Sequence, residues 1–219
     1  MVSVAVSLVM LPHGLLTAQR NQISFQTWKF QWLESPGGSI LSVPAPAPVA
    51  TNSGAGGLLT KTISRIAAPV PHPNMARFGK DNLLNTELWS ELPPEAWFEH
   101  EYGLSLDAAR RHNLPIIASA GYTRDDLTEL GPRLQAVGMD MIECSFHYLD
   151  PQQLVDTAAA LREAVSIPII AKLSLHSGDL GEVAALLEPY VDGFTCINSL
   201  GPGLIIDPES VTSPMGSKF

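Results

Sequence analysis

From about Gly54 onward, short apolar runs alternate with amphipathic stretches. The runs cover residues 57–62, 115–120, 139–146, 168–174 and 193–199, and each stays mostly apolar until its C-terminal end, with Asp140 the main exception. Such runs read as strands buried on both faces, the habit of parallel sheets. The ends of the last four recur every 25 to 28 residues, enough for one strand, one helix and two loops.

The intervening stretches carry helix signals. Thr123 with Asp126 forms a capping box, followed by Leu127, Leu130, Leu134 and Val137 at helical spacing. Asp150 is placed to cap a second helix with Pro151 at its first position, and Leu154, Ala158, Leu161 and Val165 form its stripe. Ser177 is the expected cap of a third, with Leu180, Val183 and Leu187 facing inward. A further helix is expected over 94–112, divided at Gly103.

This alternation predicts an α/β fold, a TIM (β/α)8 barrel. The barrel is incomplete, with about five to six βα units and the C-terminal units missing, because eight units take ~250 residues. Unpaired strand edges and apolar faces are expected to follow. Residues 1–52 form an irregular N-terminal segment ending in a Pro/Ala-rich linker, residues 53–208 the partial barrel, and residues 209–219 a disordered tail.

Charge and cysteine usage narrow the partners. A net charge of −9 without a basic stripe excludes a nucleic-acid surface. No stretch approaches the ~18 unbroken apolar residues of a membrane span. The apolar start of the chain lacks a basic leader region and is interrupted by Pro12 and His13. Cys144 and Cys196 have no CxxC spacing, so no metal is expected and a reducing, cytoplasmic setting fits. The expected partner is a small molecule, and a homodimer is compatible.

Barrel enzymes work at the C-terminal ends of their strands. Those ends read Lys61-Thr62, Ser119-Ala120-Gly121, Glu143 through His147, Lys172-Leu173-Ser174 and Asn198-Ser199. Lys172 stands in the apolar strand Pro168-Ile169-Ile170-Ala171-Lys172-Leu173, where an unpaired ammonium is costly. It must pair with a charge, Glu143 on the neighbouring strand being the candidate, or meet a ligand, and the two are compatible. In a flavin site such a lysine faces the N1–C2 carbonyl edge. Lys61 and Thr62 can contact ligand oxygens, though a solvated lysine at a strand end is equally ordinary. Asn198 and Ser199 suit a planar amide-bearing ring, or else a turn before Gly201-Pro202-Gly203. His147 and Tyr148 stand where a general acid or base could act. Asn85 is a ligand candidate or a helix cap.

Taken in order, Gly54 through Thr62, Leu84-Asn85-Thr86-Glu87, Pro168 through Ser174 and Asp192 through Ser199 resemble the dihydroorotate dehydrogenases and the FMN barrel of dihydropyrimidine dehydrogenase. The resemblance covers about residues 54–208. It implies FMN contacts at Lys61, Thr62 and Lys172, and a pyrimidine-like substrate at Asn85, Asn198 and Ser199. That family's fourth strand ends in Glu-Leu-Asn-hydrophobic-Ser-Cys-Pro. Here Ser145 takes the place of the substrate-binding asparagine and Tyr148 that of the catalytic cysteine. His147 or Tyr148 would then handle the proton. The glycine-rich phosphate loops after strands seven and eight have no counterpart here, so FMN affinity should fall.

The resemblance implies an FMN-dependent oxidoreductase acting on the CH–CH group of a dihydroorotate- or dihydropyrimidine-like substrate in pyrimidine metabolism, impaired by truncation. The alternatives are a non-catalytic fragment of such a barrel and an aldolase-like barrel using Lys172 as a Schiff-base nucleophile.

Overall fold

The computed structural model describes residues 8–10, 57–70, 74–78, 82–85, 88–146, 149–196, 206, 209–210 and 212–213. The strands are β1 (Leu8–Met10), β2 (Leu58–Leu59), β3 (Met75–Phe78), β4 (Asn82–Asn85), β5 (Ile116–Ala120), β6 (Met141–Ser145), β7 (Ile169–Lys172) and β8 (Gly193–Cys196). The helices are α1 (Tyr102–Arg111), α2 (Arg124–Val137), α3 (Pro151–Ala164) and α4 (Leu180–Leu187). One sheet runs β1-β8-β7-β6-β5-β2, and β3 and β4 form a separate antiparallel hairpin.

Strands β2, β5, β6, β7 and β8 are parallel and lie side by side in chain order. A doubly wound sheet reverses its order at a switch point, whereas this order winds one way, which sets the helices of the described residues on one face. The helix-side core contains Ile116, Ala118, Ala120, Ile142, Cys144, Ile169, Ala171, Leu173 and Phe194. Strand alternation sends the residues between them to the other, inner face. The architecture is an incomplete TIM barrel: five parallel strands in a curled half-barrel.

The edge expected to stand open beside β8 is covered. β1, from the stretch read as aperiodic, pairs antiparallel with β8, Val9 opposite Thr195. Three residues are too few for a period to show in the sequence, and an edge strand of this kind protects unpaired backbone groups.

The helices follow their caps. Thr123 and Asp126 form the capping box of α2, and Asp150 caps α3 with Pro151 at its start. Leu127, Leu130 and Leu134 are fully buried under the sheet, each contributing about 1.5–3 kcal/mol. Two expectations are corrected. Ser177 does not cap α4: Asp179 does, its carboxylate accepting from the Gly181 and Glu182 amides at 2.8 and 3.0 Å. A carboxylate taking two helix amides complements the helix dipole more strongly than a hydroxyl. Nor does Gly103 divide the helix over 94–112. The break is a π turn, Trp97–Glu101, between the short segment Pro94–Ala96 and α1. Its rings pack together, Trp97 and Phe98 each 5.2 Å from Tyr102.

Asp140, the misfit of the sequence pattern, has a structural use that recurs two repeats later. Arg110 binds Asp140 at 2.9 and 3.1 Å, 30 residues on, and Asp140 also accepts the Ile116 amide at 2.8 Å. Arg162 binds Asp192 at 2.9 Å, again 30 residues on, and Asp192 accepts the Ile169 amide at 2.8 Å. Both staples lie at the N-terminal ends of the strands, where barrels invest in stability.

Candidate active site

The inner face carries the polar chemistry. Ile117, Ser119, Met141, Glu143, Ser145, Ile170, Lys172 and Thr195 point there, none more than 4% exposed. Ser145 stands opposite Lys172, Lys172 opposite Thr195, and Ser119 opposite Glu143. Glu143 is therefore one layer deeper than Lys172, towards the N-terminal ends.

The expected pair forms: Lys172 Nζ lies 3.0 Å from Glu143 Oε1, both side chains 3% exposed. Ser119 Oγ donates to the same Oε1 at 3.2 Å, and Thr195 Oγ1 donates to Oε2 at 2.8 Å. The Thr195 bond crosses β7 to reach β8. Alternate strands of a flat sheet stand about 10 Å apart, so a contact spanning that gap suits an inward curl. Ser119 Oγ and Thr62 Oγ1 are 2.7 Å apart. The Ser119 proton is committed to Glu143, so Thr62 must donate to Ser119. A directed chain Thr62→Ser119→Glu143 results.

A local irregularity places the chain's first member. Leu59 pairs with Ile117 and Ile63 bridges Ala120, so this side advances four residues where β5 advances three. The Ile63 amide takes the Ser119 carbonyl, at 3.0 Å, and the Ser119 amide turns to the Thr60 hydroxyl, at 3.3 Å. An extra residue of this kind re-aims side chains. Alternation from Leu59 gives Lys61 the inner face, and Thr62 follows it there. The strand expected over 57–62 is thus regular only at β2.

The mouth is held from outside. The Ser90 amide donates to the Thr62 carbonyl at 2.8 Å, and Trp97 Nε1 donates to Ser90 Oγ at 2.7 Å. Asp126 ties the next residues to α2. It accepts from Ser64 Oγ at 3.0 Å, Arg65 N at 3.1 Å, Tyr122 N at 3.0 Å and Thr123 Oγ1 at 2.7 Å. Burial pushes this carboxyl up, but the hydrogen bonds from the Thr123 hydroxyl and the Tyr122, Thr123 and Arg65 amides outweigh it and hold it at about 2.

Gly121 lets two of the candidates approach its backbone closely. A Cβ there would meet Ser145 O at 3.3 Å, Ser145 Cβ at 3.4 Å and Thr62 Cγ2 at 3.6 Å. Thr62 and Ser145 are thus brought together, and Ser145 stands opposite Lys172, while alternation assigns Lys61 to the same face. Asn85 ends β4, paired with Met75, so it sits on a hairpin strand rather than at a helix N-terminus. His147, Tyr148, Asn198 and Ser199 lie outside the described residues. Cys144 faces the helices, and burial beside the Glu143 charge pushes its thiol well up, which keeps it un-ionised. Thr195 was not singled out from the sequence. Its signal was alternation: Gly193 and Thr195 fall inward if Phe194 faces the helices.

The fold and this inner-face cluster define the class: an incomplete (β/α) barrel with a paired lysine at a strand end. No protein-family profile matches the chain. It is 26% identical to the dihydroorotate dehydrogenase B (NAD(+)) catalytic subunit of Thermoplasma volcanium over 160 residues, 67% of this chain and 51% of that protein. It is 25% identical to the Thermoplasma acidophilum subunit over 166 residues, 68% and 52%. With that of Methanothermobacter thermautotrophicus it shares 35% over 71 residues, 32% and 23%. The chain spans from about a quarter to about half the length of these relatives, and its homology to them is distant. Among solved structures it matches the carboxyl transferase domain of Rhizobium etli pyruvate carboxylase, with a TM-score of 0.46 and 18% identity over 69% of this chain and 22% of that one. Among the described residues, no helix is long and apolar enough to cross a membrane.

Proposed function

We propose that the chain forms the ligand-bearing part of an FMN-dependent oxidoreductase barrel, acting on the CH–CH group of a dihydroorotate- or dihydropyrimidine-like ring in cytoplasmic pyrimidine metabolism. One observation carries the reading. Lys172 ends a barrel strand on the inner face, with Glu143 3.0 Å from its ammonium.

The residues present fit such a cofactor. Lys172 offers a cation matched to ring carbonyls, and Thr62, its proton directed to Ser119, offers an oxygen that can accept a ring N–H. Bound FMN would supply a two-electron acceptor for hydride. Lys172, Thr62 and Lys61 would hold its polar edge. Ser145, Asn85, Asn198 and Ser199 would orient the substrate, and His147 or Tyr148 would move the proton. The ion pair also weighs against the Schiff-base alternative. A lysine must be neutral to attack a carbonyl, whereas a carboxylate 3.0 Å away favours its ammonium form.

Quenching of FMN fluorescence by the full chain tests this. The expected result is saturable binding, weakened about tenfold or more in Lys172→Met by the loss of one charge-assisted hydrogen bond. No binding, or equal affinity in the two proteins, would overturn the reading.

A further inference from the structure

We propose that Glu143 is a positioning residue of this site, and that it works as the centre of a four-strand clamp with Thr62, Ser119 and Thr195, fixing where the Lys172 ammonium is presented. The inference rests on the flavin reading for its ligand, but the clamp can be tested without one.

A lysine side chain has four soft torsions and loses much rotamer freedom when held. Something must hold it if it is to meet a planar ring edge reproducibly. Backbone register does not supply this, because Lys172 is the last residue of β7. Glu143 does, from one layer below: β6 places it two residues before Ser145, the direct neighbour of Lys172. Its own carboxylate is in turn fixed from both sides. Ser119 on β5 reaches Oε1 at 3.2 Å, and Thr195 on β8 reaches Oε2 at 2.8 Å. Two oxygens held from opposite strands cannot rotate freely. Thr62 extends the clamp to the segment after β2, through Ser119 at 2.7 Å. Because the Thr62 and Ser119 protons both point toward the carboxylate along one chain, those two bonds polarise one another. Of the ionisable side chains on the described inner face, Glu143 and Lys172 form this pair, and Lys61 is assigned there by alternation. The groups facing them from β5 and β8, Ser119 and Thr195, do not titrate near neutrality.

The test follows the Lys172 side chain by NMR in full-length protein carrying 13C-labelled lysine, without and then with FMN. Without ligand, Glu143→Gln should lower the Lys172 titration midpoint by about one pH unit or more, a tenfold or larger loss of proton affinity. Glu143→Asp, which keeps the charge, should restore most of it. Thr195→Val, a near-isosteric change, should move the midpoint the same way by a smaller amount, about threefold in proton affinity. A merely structural glutamate would move folding but not this midpoint. If Glu143→Gln does not fold, Glu143→Asp and Thr195→Val carry the comparison, and a Thr195→Val midpoint equal to wild type overturns the clamp. With FMN, the variants should lose affinity in the order of their midpoint shifts. Shifted midpoints with no FMN binding anywhere would sink the flavin reading and leave the clamp standing. FMN binding with unshifted midpoints would do the reverse.

Discussion

Replacing Lys172 by Met leaves a carboxylate buried without its cation. Breaking a buried pair from one side costs about 3–5 kcal/mol. Here Ser119 and Thr195 still donate to Glu143, so the lower end, about 3 kcal/mol, is expected. Glu143→Met strands the ammonium and also leaves the Ser119 and Thr195 hydroxyls without their acceptor, so the upper end, about 5 kcal/mol, is expected. The double variant strands no charge. Its loss is the two hydroxyls, Ser119 and Thr195, left without their acceptor in a dry site, about 1 kcal/mol each. The double variant should then cost about 2 kcal/mol where the singles sum to about 8, a coupling of about 6 kcal/mol. Urea unfolding followed by tryptophan fluorescence measures all three, with the slope checked for constancy. If the double variant costs the sum of the singles, Lys172 and Glu143 are not an energetic unit, and the reasoning about the inner face fails.

Asp126 gives a pH prediction. Its folded value, about 2, lies below the ordinary 3.8, so its contribution is present above the unfolded value and is lost as pH falls through the range between the two. Urea midpoints should drop across that range in wild type and less in Asp126→Asn. Gly131 sits where α2 meets α3: a Cβ would lie 2.5 Å from Leu161 Cδ1 and 3.2 Å from Val165 Cγ1. Gly131→Ala gains about 1 kcal/mol of helix propensity but overpacks a fully buried leucine, so a net loss of about 1 kcal/mol by urea unfolding is expected. Borohydride with a keto-acid should leave Lys172 unmodified by peptide mass spectrometry, and a stable adduct there would restore the Schiff-base reading.

Strand centres were legible because burial on both faces leaves an apolar run, as at Ile169-Ile170-Ala171. Their ends were overextended by one to a few residues, since flanking residues such as Leu173 stay apolar beyond the last paired residue, the Leu173 amide still reaching the Thr195 carbonyl at 3.0 Å. Capping boxes were legible because Thr123, Asp126, Asp150 and Pro151 act locally. The hairpin of β3 and β4 was not, since Met75-Ala76-Arg77-Phe78 and Asn82-Leu83-Leu84-Asn85 lack β-branched residues. The extra residue around Lys61 leaves no mark, being a property of register between two segments far apart in sequence. In the site, Lys172 and Glu143 were readable as a charge pair in an apolar setting. Thr195 and the roles of Ser119 and Thr62 were not, because a hydroxyl fits a strand for propensity alone.

The most direct measurement is a crystal structure of the chain grown with FMN. The account predicts the flavin ring on the inner face of the sheet, its carbonyl edge within hydrogen-bond reach of Lys172 Nζ while that nitrogen keeps its contact with Glu143. A flavin seated elsewhere, or an inner face that holds none at saturating FMN, would contradict it.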